Sequence, residues 1–597
     1  MNSETRQCQN CKQDFRIEPE DFAFYERMKV PPPTFCWRCR AQRRLAWRNE
    51  RFLSKRKSDF SGKDIFSMYP AESPVKVYEI EVWTSDQWDA MEYGREYDFG
   101  RPFMEQLKEL IDSVPVFSRS VLYDQNSPYS SNFTGFKNCY LCFNGNDTED
   151  SIYCTGIDRS KNCMDIAQAN DAESCYDCFA VGQTSRNFGC VSCGESYNIY
   201  FCKGCIGCSD CIGCVNLRNK KYHIFNRPYS KEEFERKLKE FNLSSHSGYE
   251  ALKREARRFW LGYPQRFMEG LKNEKVSGAY IANSKNAEYG YFVISGEDLK
   301  YCQYVLYGNK NCFDYSIWGE NSSLVYESVV VGQGVSNLKF SHECWPEVRD
   351  SEYSFFSQSS SHLFGCSGLK NKQYCILNKQ YAKEEYQALI PKIKAHMDAM
   401  PYKDKQGRVY KYGEFLPIEF SPFPYNRTMA QDQFPLSGEK AAEQGFFWRE
   451  PEERKHEPTK SHRDLPENIA DVPDSMTEEY ILCAAWDEDN EDARKHNCTK
   501  VFRIMPQELA FYRHFGIPLP RKCWNSRHWE RLKDRLPLNF FKRACGCAGE
   551  ASGWGAYRNA AAHFHGSEPC PNEFQTAYAP EREEIVYCEA CYNAEVV

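Results

Sequence analysis

The sequence has no run of about 18 or more apolar residues, the length a membrane-spanning helix needs. It also lacks any excess of positive charge: 77 Lys and Arg face 84 Asp and Glu, a formal net charge of -7. That balance excludes a globally basic nucleic-acid binder, so any basic surface must be local. The opening residues MNSETRQCQNCKQ contain no apolar core of a secretion signal, and the expectation is a cytoplasmic protein with no membrane partner. Phosphate-binding P-loops, G-x-S-x-G elbows, H-E-x-x-H helices and G-x-G-x-x-G turns are all missing. The commonest nucleotide, serine-hydrolase and metallopeptidase chemistries therefore have no motif here, no small-molecule substrate is identified, and the reading favours a protein that is not an enzyme. Disorder is excluded as well, by 41% hydrophobic and 15% aromatic content.

What the chain has in abundance is cysteine, 30 in 597 residues. In a reducing compartment such cysteines are metal ligands or reduced core thiols rather than disulfides. Two stretches at opposite ends of the chain are written alike: CKQDFRIEPEDFAFYERMKVPPPTFCWRCRAQRRL from Cys11 and CTKVFRIMPQELAFYRHFGIPLPRKCWNSRHWERL from Cys498. They align without a gap, Cys11 on Cys498 and Cys36 on Cys523. In the first copy Cys8, Cys11, Cys36 and Cys39 form C-x2-C-x24-C-x2-C, two knuckles that complete a tetrahedral zinc site with no position left for water. In the second copy Lys495 and Ser526 replace two of the four ligands. Cys483 can supply one across the insertion WDEDNEDARKHN, with His528 or His496 for the other; alternatively this copy keeps the fold without metal. Farther on, Cys545, Cys547, Cys588 and Cys591 are read as a second closed zinc site, with Cys570, His563 and His565 as substitutes. The total expected is two to three Zn2+.

The CxxC, F-x-I, helix-like EDFAFYERM, Pro-rich turn and C-x2-CR pattern resembles the zinc-ribbon or treble-clef domains of many uncharacterised bacterial proteins, over about forty residues at each end. The closing EFQTAYAPEREEIVYCEACYNAEVV is similar to the C-terminus of large cysteine-rich proteins of uncultured candidate-phyla bacteria. That resemblance implies no established activity.

The middle of the chain repeats. Steps of twelve from Tyr140 reach Ile152, Met164, Tyr176, Phe188, Tyr200, Ile212 and Ile224; two residues on lies Cys142, Cys154, Ile166, Cys178, Cys190, Cys202 and Cys214. Two residues earlier stand Asn138, Asp150, Asn162, Ser174, Arg186, Asn198 and Asp210, mostly turn formers. A fixed period with fixed columns is the mark of a solenoid. Since strand side chains at i and i+2 share a face, the apolar and cysteine columns are both expected inside. The pattern NLRNKKYHIFNRPYSKEEF at 216 recurs as GLKNKQYCILNKQYAKEEY at 368, so the middle is duplicated and each copy runs into a helix read as a cap. The later copy is expected to keep its column as Tyr289, Tyr301, Phe313 and Val325, with the register slipping near His342 to Trp345. The fold class is thus multidomain and mainly β: a duplicated parallel β-solenoid of period twelve with helical caps, flanked by zinc-ribbon or treble-clef modules. The boundaries read as 1–75 for the zinc module with its basic helix, 76–125 for a connecting segment, and 126–275 and 276–400 for the two solenoid segments. An extended linker takes 401–477, and the second zinc module and final knuckles take 478–597.

Cys202, Cys205, Cys208, Cys211 and Cys214 stand three apart, the spacing by which iron–sulfur proteins present thiolates. Superposed repeat columns produce the same spacing and account for all but Cys208, so core packing is the favoured reading and an iron–sulfur cluster the alternative. The basic feature is an arginine face, Arg40, Arg43, Arg44, Arg48 and Arg51, with Trp37 and Trp47 nearby. It suits an RNA backbone, or else pairs with carboxylates of the same chain. The leading function is a zinc-binding scaffold that recognises a protein or RNA partner, possession of an iron–sulfur redox centre is the second, and a carbohydrate-active solenoid enzyme using acids such as Asp165 and Asp177 the third.

Overall fold

A computed structural model describes residues 2–450 and 456–596. It is 25% helix and 31% strand. The chain divides into two compact units, Met1–Ser120 with Met268–Arg449, and Val121–Phe267 with Glu450–Val597. Each unit is discontinuous in sequence and combines one terminal cysteine module with one of the two repeated middle segments.

In the second unit, ten strands between Val121 and Pro228 pair in chain order. Up to the last pair, their partners are parallel and twelve residues apart: Phe133 with Gly145, Gly145 with Ile157, Ile157 with Ala169 and Ala169 with Val181. Pairing recurs on further columns of the same coil, such as Lys137 with Glu149, Tyr140 with Ile152 and Asn146 with Asp158. The residues between them explain how the chain returns to pair twelve residues on. Every third residue is left-handed, as at Asn138, Leu141, Asn144, Asp147, Asp150 and Tyr153, and turns the chain. Asn and Asp tolerate that conformation best, and the turn-former column at Asn138, Asp150 and Asn198 occupies it.

This geometry corrects the expected facing of side chains. Because a left-handed turn falls every third residue, i and i+3 share the interior, whereas i and i+2 would do so only in a straight strand. The interior column is therefore Cys139, Cys142, Cys154, Ile157, Cys163, Ile166, Ala169, Ala172, Cys175 and Cys178, continuing through Cys202, Cys205, Cys208, Cys211 and Cys214. The column from Tyr140 points outward: Tyr176 packs against Phe511 and Tyr512 of the helix Pro506–Phe515. In CKGCIGCSDCIGC, Gly204, Gly207, Asp210 and Gly213 take the left-handed positions. A methyl group on Gly207 would sit 2.2 Å from Asn219 Oδ1 of the next coil.

In the first unit, thirteen strands between Gly270 and Gln380 form a similar parallel ladder. Its pairing steps lengthen by one residue over successive coils, Glu297 to Lys310, Lys310 to Ser323, Ser323 to Ser336 and Ser336 to Arg349, before Arg349 pairs with Ser361. The register therefore changes well before His342, and Phe313 pairs with Lys300 and Tyr326 instead of Tyr301 and Val325. Large residues fit inside this ladder: Tyr291, at the twelve-residue steps, and Tyr315, at a thirteen-residue step, are both fully buried.

Both ladders close alike. The last strand folds back as an antiparallel pair, Lys221–Ile224 with Arg227–Pro228 and Gln373–Ile376 with Lys379–Gln380. An asparagine then takes the place of a further strand for the buried backbone: Val215 N donates to Asn226 Oδ1 at 2.9 Å, and Ser367 N to Asn378 Oδ1 at 2.8 Å. Helices Lys231–Glu240 and Lys383–Ala399 follow.

Residues 401–477, expected as an extended linker, are largely packed. In the first unit Phe415, Leu416, Ile418 and Tyr425 are buried, and in the second Ile469, Val472 and Met476. Residues 451–455 of that segment lie outside the described residues.

Candidate metal centres

The amino-terminal group is built by a hairpin and a helix. Strands Glu4–Gln7 and Asp14–Ile17 pair antiparallel and place Cys8 and Cys11 at their turn. Cys36 caps the helix Trp37–Leu45, and Cys39 lies in its first turn. The four sulfur atoms lie within 4.8 Å of one another; Cys11 and Cys36 are 3.7 Å apart, and Cys36 N donates to Cys8 Sγ at 3.3 Å. Hydrogen bonding to Cys36 draws the Cys8 thiol far down, while hydrogen bonding with Cys11 pushes Cys39 up. Thiols so close cannot all ionise without a cation among them. The group predicted from spacing is thus one that the fold brings together.

In the second copy Cys483, Cys498 and Cys523 form the group. Cys483 takes the place of Cys8: Cys523 N donates to its sulfur at 3.2 Å, as Cys36 N does to Cys8. Ser526 stands where the first copy has Cys39, 3.3 Å from Cys523 Sγ and 3.7 Å from Cys483 Sγ. His496 Nε2 lies 3.0 Å from that hydroxyl, and neither it nor His528 belongs to the thiol group.

At the C-terminus the expected set of Cys545, Cys547, Cys588 and Cys591 is corrected. Cys570 replaces Cys547, giving Cys545, Cys570, Cys588 and Cys591. Cys588 N donates to Cys545 Sγ at 3.1 Å, and Cys570 and Cys588 sulfurs are 3.9 Å apart. Cys547 belongs to a neighbouring group with His563, His565 and Cys591. Cys545 follows the strand Phe541–Ala544, whereas Cys547 opens the hairpin that pairs Cys547–Ala548 with Ala551–Ser552, and the two thiols fall in different clusters. Spacing alone does not reveal that division.

The five cysteines from 202 to 214 are placed differently. Their thiols donate to main-chain carbonyls two residues back, Cys202 to Tyr200 at 3.4 Å, Cys208 to Ile206 at 3.5 Å and Cys211 to Ser209 at 3.3 Å. Burial pushes the thiols of Cys202 and Cys205 up, which favours the neutral S–H over the thiolate a metal takes; hydrogen bonding to Cys202 and Cys211 draws Cys214 down to about 4, yet none of the five belongs to a group that could hold a metal among the described residues. Cys208, left without a column by the twelve-residue reading, sits in the same interior line as the others.

The arginine face is buried rather than exposed. Arg40, Arg43, Arg44, Arg48 and Arg51 are at most 7% accessible. Arg40 Nη2 lies 2.8 Å from Asp314 Oδ2 and Arg44 Nη1 3.2 Å from Asp314 Oδ1, while Arg43 Nη2 lies 2.7 Å from Glu327 and 3.2 Å from Glu414. Arg48 pairs with Glu343 at 3.4 Å, and the Arg51 guanidinium lies 5.7 Å from the centre of the Phe52 ring. Trp37 stacks on Tyr301, and Trp47 is buried beside His342. Burial opposes ionisation of Glu327, yet Arg43, Arg44 and Arg40 hold its carboxyl below the usual range. In this arrangement the five arginines are occupied by carboxylates and rings of their own unit and offer no face to a phosphate backbone.

Sequence reasoning missed the counterpart of this lock. In the second unit Arg527 Nε lies 2.8 Å and Arg531 Nη2 3.0 Å from Asp165, and Arg531 Nη1 3.3 Å from Asp177. Lys253 lies 2.7 Å from the same Asp177. Asp165 and Asp177, weighed as outward acids of a carbohydrate enzyme, are therefore committed to ion pairs. The signal was present: Arg40 and Arg44 align with Arg527 and Arg531, and Asp165 and Asp314 end the recurring NCMD and NCFD.

Among the described residues no helix is long and apolar enough to cross a membrane. The chain matches no family model and no curated protein. Among solved structures it is similar to a protein from Desulfovibrio desulfuricans G20 assigned as an acetyltransferase, at 7% identity over 48% of this chain and 85% of that one, with a TM-score of 0.10. A likeness that low carries no argument about this chain.

Proposed function

We propose that the protein is a non-enzymatic, zinc-stabilised scaffold. Its two ladders are read as β-solenoids, each held to a terminal zinc module, and their outward columns present the recognition surface for a protein or RNA partner. The single observation behind this reading is the group Cys8, Cys11, Cys36 and Cys39, whose sulfurs are mutually within 4.8 Å. Four thiolates fill a tetrahedral zinc and leave no open position for substrate or water, the arrangement of a structural site. Zinc also suits a cytoplasmic, all-sulfur ligand set better than the hard cations, which prefer oxygen. The buried arginines support a docking role for the module: they face carboxylates of the ladder in both units.

The test is elemental analysis of the full chain purified without chelator, together with the Cys8→Ser, Cys11→Ser double variant. Zinc in the unmutated protein, reduced by one equivalent in the variant, is the expected result. A chain free of zinc, or a variant with unchanged zinc, overturns it. Crosslinking and sequencing of co-purifying RNA, with mass spectrometry of co-purifying protein, identifies the class of partner.

A further inference from the structure

The two C-terminal groups are not separate, because Cys591 belongs to both. One consists of Cys545, Cys570, Cys588 and Cys591 and the other of Cys547, His563, His565 and Cys591, and in each the ligand atoms lie within 4.8 Å of one another. Zinc bonds of about 2.3 Å to sulfur and about 2.0–2.1 Å to nitrogen, at tetrahedral angles, set ligand atoms roughly 3.4–3.8 Å apart. The observed edges fit: Cys547 Sγ lies 3.7 Å from His563 Nδ1 and 3.4 Å from His565 Nε2, which is itself 3.3 Å from Cys591 Sγ. Cys570 and Cys588 are 3.9 Å apart.

The histidines carry an independent sign of a cation. Each turns one ring nitrogen to the thiols and the other to an acceptor. His563 Nε2 lies 2.8 Å from Glu595 Oε1, and His565 Nδ1 lies 2.6 Å from the carbonyl of Glu568. A ligating histidine is oriented this way, its outer N–H held by a carboxylate or carbonyl so that the inner nitrogen keeps its lone pair for metal. Glu595 is itself fixed: it accepts from Ala560 N at 2.9 Å, Ala561 N at 3.0 Å and Tyr557 Oη at 3.0 Å. Its side chain and that of His563 are 0% and 2% accessible.

We propose a two-zinc centre in which the Cys591 thiolate bridges the ions, one completed by Cys545, Cys570 and Cys588 and the other by Cys547, His563 and His565. Without the bridge the second ion would have three protein ligands and an open position, the pattern of a hydrolytic site; with it both ions are closed. Binding releases five thiol protons, and five thiolates with two neutral imidazoles around two divalent ions leave a net charge of minus one. A lone zinc on four of those thiolates would leave minus two beside Glu595.

This inference rests on the zinc reading above, and its test separates the two. The full chain is loaded with cadmium and observed by cadmium NMR. The expected spectrum contains an all-sulfur resonance and an upfield sulfur–nitrogen resonance that are scalar-coupled to each other, as only a shared thiolate allows. Zinc analysis of Cys547→Ala, His563→Ala is expected to show loss of one equivalent with the all-sulfur resonance kept. A single C-terminal resonance, or two with no coupling, overturns the bridged centre whether or not the variant folds. If the Cys8 group holds zinc while this happens, only the bridged centre fails; a chain with no zinc at all sinks the functional reading first.

Discussion

The two knuckle modules are copies of one another, yet what the copies share is not their metal set. The amino-terminal module offers four sulfurs, whereas its partner offers Cys483, Cys498 and Cys523 with the Ser526 hydroxyl in the fourth place. The arginine lock is the same in both. Arg40 and Arg44 hold Asp314, and Arg527 and Arg531 hold Asp165, with both carboxylates fully buried. Leaving a buried charge unpaired costs several kcal/mol, and the ion pairs stand in both copies while the fourth thiol stands in only one. Docking onto a ladder is thus what the two copies share, and the thiol set is where they differ.

The largest expected effect breaks that shared lock. Asp314→Ala leaves Arg40 and Arg44 to share Glu327 with Arg43, and Asp165→Ala leaves Arg527 only Glu508 and Arg531 only Asp177, each at a cost of about 3 kcal/mol, the lower end of the range for breaking a buried pair. Denaturant unfolding checks this; losses below about 1 kcal/mol in either variant would mean the lock is not what holds the modules.

Acid is expected to act on the first unit through His342. Burial, reinforced by the nearby Arg48, pulls its imidazolium down to about 3 from 6.5. The folded form keeps His342 neutral where the unfolded chain would protonate it. Stability from this group is therefore complete above pH 6.5 and lost as pH falls toward 3, by about 1.4 kcal/mol per unit. His342→Gln should flatten that slope in a stability–pH profile; an unchanged slope removes the assignment.

A smaller change sharpens the difference in ligands. Ser526→Cys restores the fourth sulfur and should raise zinc retention against a competing chelator about tenfold, or ~1.4 kcal/mol. No gain would show that the second copy holds its metal without that position, or holds none. The smallest effect belongs to the ladder: in Cys202→Ser and Cys208→Ser the hydroxyl can keep the bond to the carbonyl two residues back, as Ser151 and Ser160 do in the same ladder, so each should cost less than about 1.5 kcal/mol and leave metal content unchanged. Loss of bound iron in either variant would revive the iron–sulfur reading.

Much of this was legible beforehand. The Cys8 group and the twelve-residue pairing of the second unit's parallel strands follow from spacing, whereas Cys483 was one of two alternatives left open across an insertion that spacing does not bridge. The facing of the repeat was misread because the straight-strand rule was applied across positions that turn. The clue lay in the same columns: Asn138, Asp150 and Asn198 are residues that tolerate a left-handed turn, and the buried Cys139, Ser151 and Ile199 stand one position after each.

Periodic residue types in the sequence alone determined the repeat, the duplication and which cysteines are eligible to meet, because each depends on local geometry. Only the tertiary structure decided that the arginine face is buried on Asp314 and Glu327, that Cys570 displaces Cys547, and that Cys591 lies in two groups. Those outcomes depend on which distant segments meet, and a charge or thiol carries no mark in sequence of the partner that burial will assign to it.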